Sequence, residues 1–234
     1  MEKVDFGFII RPSSFGLSIS PSQLPEYNRR CIQTLSSAFT SIWMEDHLQW
    51  GRDDTLEIFT TLGFLAGEFP RFKVGSLVLC QSFRNPALVA KMAANLHFLS
   101  EGRFILGIGA GWKTDEYVAY GYPIPGNNEV RWKQFEESVI IIRAMWESVP
   151  ATFLGQYYQI REAYCEPRPS PGIPLLIGGG GEKRTLALVA RYADWWNYNS
   201  CTVEEYARKV AVLQGYCERI GRYTGPRNLD TERG

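Results

Sequence analysis

Histidine is nearly missing from this sequence of 234 residues, which holds only His47 and His97 and so offers little for a histidine-rich metal centre. Cysteine is sparse as well. Cys31, Cys80, Cys165, Cys201 and Cys217 lie far apart, are odd in number and form no Cys-x-x-Cys pair, which argues for reduced thiols rather than a disulfide frame or a zinc site. Neither sign of charge is in excess. Lys plus Arg and Asp plus Glu both count 25, so no basic field draws nucleic acid or anionic lipid, and there is no acidic tail. No apolar run is long enough to span a bilayer, and the chain opens on Glu2, Lys3 and Asp5 where a signal peptide would carry its apolar core. These absences set the expectation of a cytoplasmic protein that handles a small molecule.

What is present is a chain of 45% hydrophobic residues, enough for one sizeable core. A single domain is expected over residues 1–222, with 223–234 as a polar tail lacking periodicity. Short β-rich runs alternate with stretches of helical period, the pattern of a parallel sheet built from βα units. Six units are counted. Strands are expected at Val4–Ile10, Ser41–Glu45, Phe72–Leu79, Phe104–Ile108, Pro174–Ile177 and Ala193–Tyr198, and helices at Leu24–Phe39, Thr55–Ala66, Pro86–Leu99, Glu129–Trp146, Lys183–Tyr192 and Val203–Ile220. Pro86 suits a first helical turn and Gly102 the residue past a helix end. Residues 151–172, with Tyr157, Tyr158 and three prolines, break the alternation and read as an excursion, a small hairpin ahead of the fifth strand. Periodicity alone fits either an open doubly wound sheet or a closed (β/α)₈ barrel.

The motifs narrow the choice. Asn85-Pro86-Ala87-Leu88 with Ser100-Glu101-Gly102-Arg103-Phe104, then Gly107-Ile108-Gly109-Ala110-Gly111-Trp112, Tyr120-Gly121-Tyr122-Pro123, Gly155-Gln156-Tyr157-Tyr158, Gly178-Gly179-Gly180-Gly181-Glu182-Lys183 and Ala193-Asp194-Trp195-Trp196-Asn197 follow one another along the chain. In wording, order and spacing this set resembles the bacterial-luciferase-like family of flavin- and deazaflavin-dependent oxidoreductases, from about Phe6 to Asn197. The subgroup it resembles most uses the deazaflavin F420. The resemblance implies a TIM-type (β/α)₈ barrel with an excursion before its fifth strand. It also implies two βα units more than the six counted here, so a barrel cut off after six units is expected, with two unpaired parallel edges. A neighbouring chain, as in a homodimer, a compact variant of the fold, or a truncated product of impaired activity would each account for that.

Candidate site residues follow the strand ends, because the C-terminal mouth of such a barrel collects its chemistry. Asp46 and His47 come directly after the second strand. An imidazole there can pass a proton near neutrality and balance hydride transfer at an adjacent carbon, and the resemblance assigns this pair to catalysis. A helix-capping Asp beside a packed histidine fits the same residues. His97, inside a helix, reads as structural.

The run Gly178, Gly179, Gly180, Gly181 followed by Glu182 and Lys183 combines a strand, a glycine turn and a helix start, the arrangement in which backbone N–H groups hold a phosphate. A tight βα turn without ligand would look alike. The resemblance gives this loop to the phosphate of the cofactor. Gly109, Ala110 and Gly111 would let a flat ring lie against the backbone, with Asp115 and Glu116 near enough for polar contact, although a glycine-rich barrel corner or a solvated helix start reads similarly. At the end of the third strand, Leu77, Val78 and Cys80 are implied by resemblance to lie beneath that ring, with a non-proline cis peptide near Leu77-Val78. Trp50 and Trp112 in loops, and Arg11 after the first strand, are candidates for the substrate pocket. The expected activity is F420-dependent hydride transfer to or from a small organic molecule. An FMN-dependent monooxygenase activating O₂, and a flavin-binding relative without turnover, are the alternatives.

Overall fold

The computed structural model describes residues 4–222, so the expected tail at 223–234 lies outside the described residues. Its main sheet is built from parallel strands β1 (Phe6–Ile9), β2 (Phe39–Met44), β3 (Lys73–Ser76), β4 (Leu79–Cys80), β5 (Phe104–Gly109), β8 (Leu175–Gly178) and β9 (Trp195–Asn197). Between them run helices α1 (Leu24–Gln33), α2 (Ile58–Glu68), α3 (Pro86–Leu99), α4 (Thr114–Ala119), α5 (Asn128–Glu147) and α6 (Thr185–Tyr192), and α7 (Val203–Arg219) follows the last strand. A separate antiparallel hairpin joins β6 (Ala151–Leu154) to β7 (Gln159–Ala163), within the stretch expected to interrupt the alternation.

The sheet order is β1-β2-β3-β5-β8-β9, each new strand laid beside the one before it. A doubly wound sheet needs a reversal of that order, and none occurs among the described residues. The architecture is therefore six consecutive units of a TIM-type barrel, with β1 and β9 as its outer edges among the described residues. β3 and β4 are one barrel strand with an interruption. Gly75 pairs with Ile105 and Leu79 with Ile108, so this strand spends one residue more than its partner, and the interruption falls at Leu77-Val78, whose peptide is cis.

Helix α3 shows how local signals set an element. The Asn85 side chain accepts a hydrogen bond from the Ala87 N–H at 2.9 Å, Pro86 occupies the first turn, and Gly102 adopts φ 81° just past the end. His97 is 2% exposed, with its ring nitrogens 3.1 Å from the Phe104 carbonyl and 2.8 Å from that of Pro171, so it ties α3 to β5 and to the excursion.

Three boundaries differ from expectation for identifiable reasons. α1 stops at Gln33 because the chain turns at Thr34, and Phe39 begins β2. α2 starts at Ile58, where Glu57 caps the Thr60 N–H at 2.7 Å, while Thr55 bridges back to Ser13. α6 starts at Thr185 rather than Lys183, since the Gly181 carbonyl takes the Leu186 N–H and keeps the preceding residues in the turn.

The outer core lies between sheet and helices, from Ile42, Met44, Phe104, Leu106 and Ile177 on the strands to Leu62, Ala93, Val139 and Ile142 on the helices. Inside the arc a smaller cluster gathers around Trp43, with Ile105 and Leu176. A Cβ on Gly7 or on Gly75 would come within 2.4 Å of the Trp43 indole, so both glycines make room for a ring that lies across β1 and β3. Trp195 of the far edge strand reaches it at 6.1 Å between centroids.

Candidate active site

A cleft of about 410 Å³ opens at the C-terminal ends of β2, β4, β5 and β8. His47, 8% exposed, stands at one side of it. Its Nδ1 lies 3.2 Å from Glu116 Oε2 and 3.3 Å from Oε1. The Glu116 side chain is 1% exposed and also accepts the backbone N–H groups of Leu48 at 2.6 Å and Gln49 at 3.2 Å. Acceptor oxygens at Nδ1 favour the tautomer that carries its proton there, and the free lone pair then sits on Nε2. Trp50 and Trp112 stand edge-on to the imidazole at 4.9 and 6.0 Å between centroids, which fixes its plane.

Asp46 faces a different task. Both its oxygens are taken by the Arg84 guanidinium, at 2.8 and 3.1 Å, and Oδ2 also accepts the Cys80 N–H at 2.9 Å. Arg84 extends the chain of charge to Glu57 at 2.7 Å. Burial pushes the Asp46 carboxyl upward, against the pull of Arg84. With its acceptors so engaged, Asp46 clamps the end of β2 to β4 at the edge of the cleft.

The floor of the cleft is glycine and valine. A Cβ on Gly109 would meet Val78 Cγ2 at 2.8 Å, and one on Gly178 would meet Val78 Cγ1 at 2.9 Å, so the Val78 side chain fills the space between two bare backbone segments. The result is a small apolar platform with room above it for a flat ring. Gly111, at φ 76°, could bear no side chain either, because a Cβ would come within 2.4 Å of the Tyr117 hydroxyl and 2.5 Å of Cys80 Sγ. Those two groups are 3.3 Å apart, and burial pushes the Cys80 thiol up to about 11.

At the opposite end of the cleft the glycine loop is held by its carbonyls. The Trp196 indole N–H donates to Gly179 O at 2.8 Å, and the Lys209 ammonium donates to Gly180 O at 2.6 Å. In a planar trans peptide the N–H of the next residue points the other way, so Gly180 N–H and Gly181 N–H are turned away from those partners, and neither has a hydrogen-bond acceptor among the described residues. Tyr198 packs under Gly180, where a Cβ would come within 2.1 Å of its ring. Two unpaired N–H groups beside the start of α6, with the Thr185 side chain next to them on the cleft wall, form a concavity whose donors can take an anion.

The structure thus brings together Asp46, His47, Leu77, Val78, Cys80, Gly109, Ala110, Gly111, Trp112 and Gly178 through Gly181 on one cleft, with Trp50 behind His47. Three expected residues stand elsewhere. Lys183 lines a separate groove between α5 and α6. Asp115 is exposed and paired with Lys113, and it is its neighbour Glu116 that turns inward. Arg11 donates to the Phe15 carbonyl at 2.5 Å and so braces the loop whose Phe15 ring packs on Trp50. Glu116, Arg84 and Lys209 act on the site through other residues. Their partners lie 69, 38 and 29 positions away in sequence; Glu116 stands out beforehand only as one of two adjacent acids near the site, and no local pattern marks Arg84 or Lys209.

Comparison with known proteins identifies the family and the fold. The sequence model of luciferase-like monooxygenases matches residues 4–228. The F420-dependent glucose-6-phosphate dehydrogenase of Amycolatopsis mediterranei is 33% identical over 177 residues, which are 74% of this chain and 50% of that protein. Among solved structures, an F420-dependent secondary alcohol dehydrogenase in complex with an F420-acetone adduct superposes with a TM-score of 0.81 at 22% identity, covering 95% of this chain and 66% of that one. The monooxygenase RslO1 from Streptomyces bottropensis superposes with a TM-score of 0.80 at 18% identity, covering 95% and 68%. At such identities the superpositions speak for the fold. The matches span 48–58% of the length of the curated relatives.

Proposed function

This chain belongs to the luciferase-like monooxygenase family, and from that premise we propose that it is an oxidoreductase that holds the deazaflavin F420 in the cleft and passes hydride between it and a small organic substrate. The observation that carries this reading is the line of sites along one cleft. The Nε2 face of His47, the bare platform of Val78, Gly109 and Gly178, and the free N–H groups of Gly180 and Gly181 follow each other in the order that proton transfer, a flat ring and a phosphate require. Relatives named for F420 dependence support the choice of cofactor.

When bound, the deazaflavin supplies a carbon that gives or takes two electrons as hydride. The protein supplies placement and the balancing proton. His47 Nε2 gives or receives the proton at the oxygen of the reacting carbon, while Glu116 keeps the Nδ1 proton in place and stabilises the imidazolium that forms. Asp46 positions rather than reacts, through Arg84 and the Cys80 N–H. Gly180 and Gly181 N–H, the Thr185 side chain and the dipole of α6 bind the phosphate. Trp112 forms an apolar wall against which the substrate lies, and Trp50 backs the His47 ring from behind.

The test is fluorescence titration of the purified protein with F420 and, separately, with FMN. Saturable F420 quenching in the micromolar range, much weaker FMN binding, and reduction or oxidation of F420 that is lost in His47→Ala are expected. Tight FMN binding with O₂ consumption would replace this reading with a flavin monooxygenase, and binding of neither would remove the cofactor from the cleft.

A further inference from the structure

Helix α7 fastens the glycine loop from behind. Lys209, in the middle of that helix, is 8% exposed. Its Nζ donates to Gly180 O at 2.6 Å, stands 5.3 Å from the centroid of the Tyr198 ring and lies 3.3 Å from Glu182 Oε1. The Tyr198 ring packs under Gly180 and its hydroxyl donates to Glu205 Oε1 at 2.6 Å, so α7 braces the loop twice. Lys209 does not line the cleft, and a molecule held there meets the other side of the loop. Desolvation opposes a buried ammonium, which makes it a demanding group for holding a carbonyl. The neighbouring Gly179 carbonyl is held by a neutral donor, the Trp196 indole, at 2.8 Å. Glu182 does not cancel the charge of Lys209, because it also pairs with Arg208, two cations against one acid. In a planar peptide a cation at the oxygen polarises the N–H at the other end, which becomes a stronger donor to an anion.

We propose that Lys209 is the positioning residue and counter-charge of the phosphate site, fixing and polarising the Gly180-Gly181 peptide so that a phosphate on the Gly181 N–H feels a cation it never touches. The inference rests on the reading that this loop holds the cofactor's phosphate. By sequence the nearest cation is Lys183, but it lines the groove between α5 and α6. The fold gives its task to a residue 29 positions beyond Gly180. Because the effect is carried by charge through a peptide, it separates ligands that bear a phosphate from ligands that do not. A lysine that merely held α7 against the loop would make no such distinction.

The experiment titrates two ligands by fluorescence into the full chain and three variants: F420, and the deazaflavin that ends at its ribityl chain and has no phosphate. Lys209→Gln keeps a donor for Gly180 O without the charge, Lys209→Met removes both, and Lys209→Arg keeps both. F420 is expected to bind about tenfold more weakly to the Gln and Met variants and to recover in Lys209→Arg, while the phosphate-free ligand binds all four proteins alike. Equal weakening of both ligands would show that Lys209 only supports the fold. Unchanged F420 binding in the Gln and Met variants, or a loss that persists in Lys209→Arg, would show that its charge is not felt, and each of these three results overturns the proposal while leaving the cofactor reading standing. The cofactor reading fails separately, on the unaltered protein: equal affinity for the two ligands removes the phosphate from the loop, binding of neither removes the cofactor, and the proposal falls with either. If the Gln and Met variants do not fold, Glu182→Gln decides. Loss of the acid beside Lys209 should tighten F420 binding about threefold and leave the phosphate-free ligand unchanged, and no tightening overturns the proposal.

Discussion

Glu116 Oε2 lies 3.2 Å from His47 Nδ1, a contact made across 69 residues between a β2 loop and the short helix α4. It joins the imidazole proposed to carry the proton to a buried carboxylate that also takes two backbone N–H groups. Replacing Glu116 with Leu removes three acceptor contacts and leaves buried donors without partners, a loss of about 2–4 kcal/mol in stability. The distinguishing readout is the tautomer. With only two histidines, the ring nitrogens of His47 can be followed by two-bond ¹H–¹⁵N NMR, and the neutral ring is expected as the Nδ1–H form in the unaltered protein and as a mixture in Glu116→Leu. A mixture already present without the substitution would end the argument that Glu116 positions His47.

The glycine loop gives a prediction with an internal control. Gly180→Ala forces a methyl group within 2.1 Å of the Tyr198 ring, and Gly179 holds φ 120°, where an L side chain is strained. Either change displaces the N–H groups proposed to hold the phosphate, and should weaken F420 binding by at least about tenfold, the loss of one or more charge-assisted hydrogen bonds. Gly126→Ala meets nothing within 4 Å and is expected to leave binding unchanged. Equal binding by all three variants would show that the phosphate lies elsewhere.

The contrast between these two sites explains what is legible in the sequence. The glycine loop, the Gly109–Gly111 corner and α3 are local, since a run of glycines or an Asn-Pro start carries its own conformational requirement. The six strands are legible to within a few residues for the same reason. The partners of His47 and Asp46 are not local. Asp115 and Glu116 are adjacent acids of equal standing in sequence, and only the rotation of α4 turns one to Lys113 and the other to His47. Asp46 stands beside His47 in the sequence, and the Arg84 that bonds both its oxygens sits 38 residues on. Lys183 belongs to the glycine motif by sequence, yet the tight turn before α6 carries it out of the cleft.

Trp43 fills the inside of the arc between Gly7 and Gly75 and meets Trp195. Trp43→Ala should therefore empty a large cavity and cost about 3–5 kcal/mol in urea unfolding, seen as a lower midpoint with unchanged slope. Gly75→Ala places a methyl 2.4 Å from the same indole, so it destabilises the unaltered protein but is tolerated in a Trp43→Leu background. That coupling, measured by a double-mutant cycle, is specific to contact between the two positions. Additive effects would mean that the indole does not rest on Gly75.

Cys80 makes the stability of this chain sensitive to alkali. Its thiol is buried beside the Tyr117 hydroxyl, and burial raises it from an ordinary value of 9.0 to about 11. The folded state therefore holds its proton more tightly than the unfolded state, and that advantage is fully present below pH 9 and is lost as pH rises from about 9 to about 11. The difference between the two states corresponds to about 2–3 kcal/mol. Unfolding midpoints should fall over that window, and Cys80→Ala should flatten the part of the fall that belongs to the thiol, leaving the part due to Tyr117, which burial raises as well. The same burial predicts chemistry: at a mildly alkaline pH of about 8.5, iodoacetamide should alkylate the half-exposed Cys31 and Cys201 well before Cys80. Rapid alkylation of Cys80 in the folded chain would show that its thiol is open to solvent, and the alkaline loss of stability would then have to arise from another group.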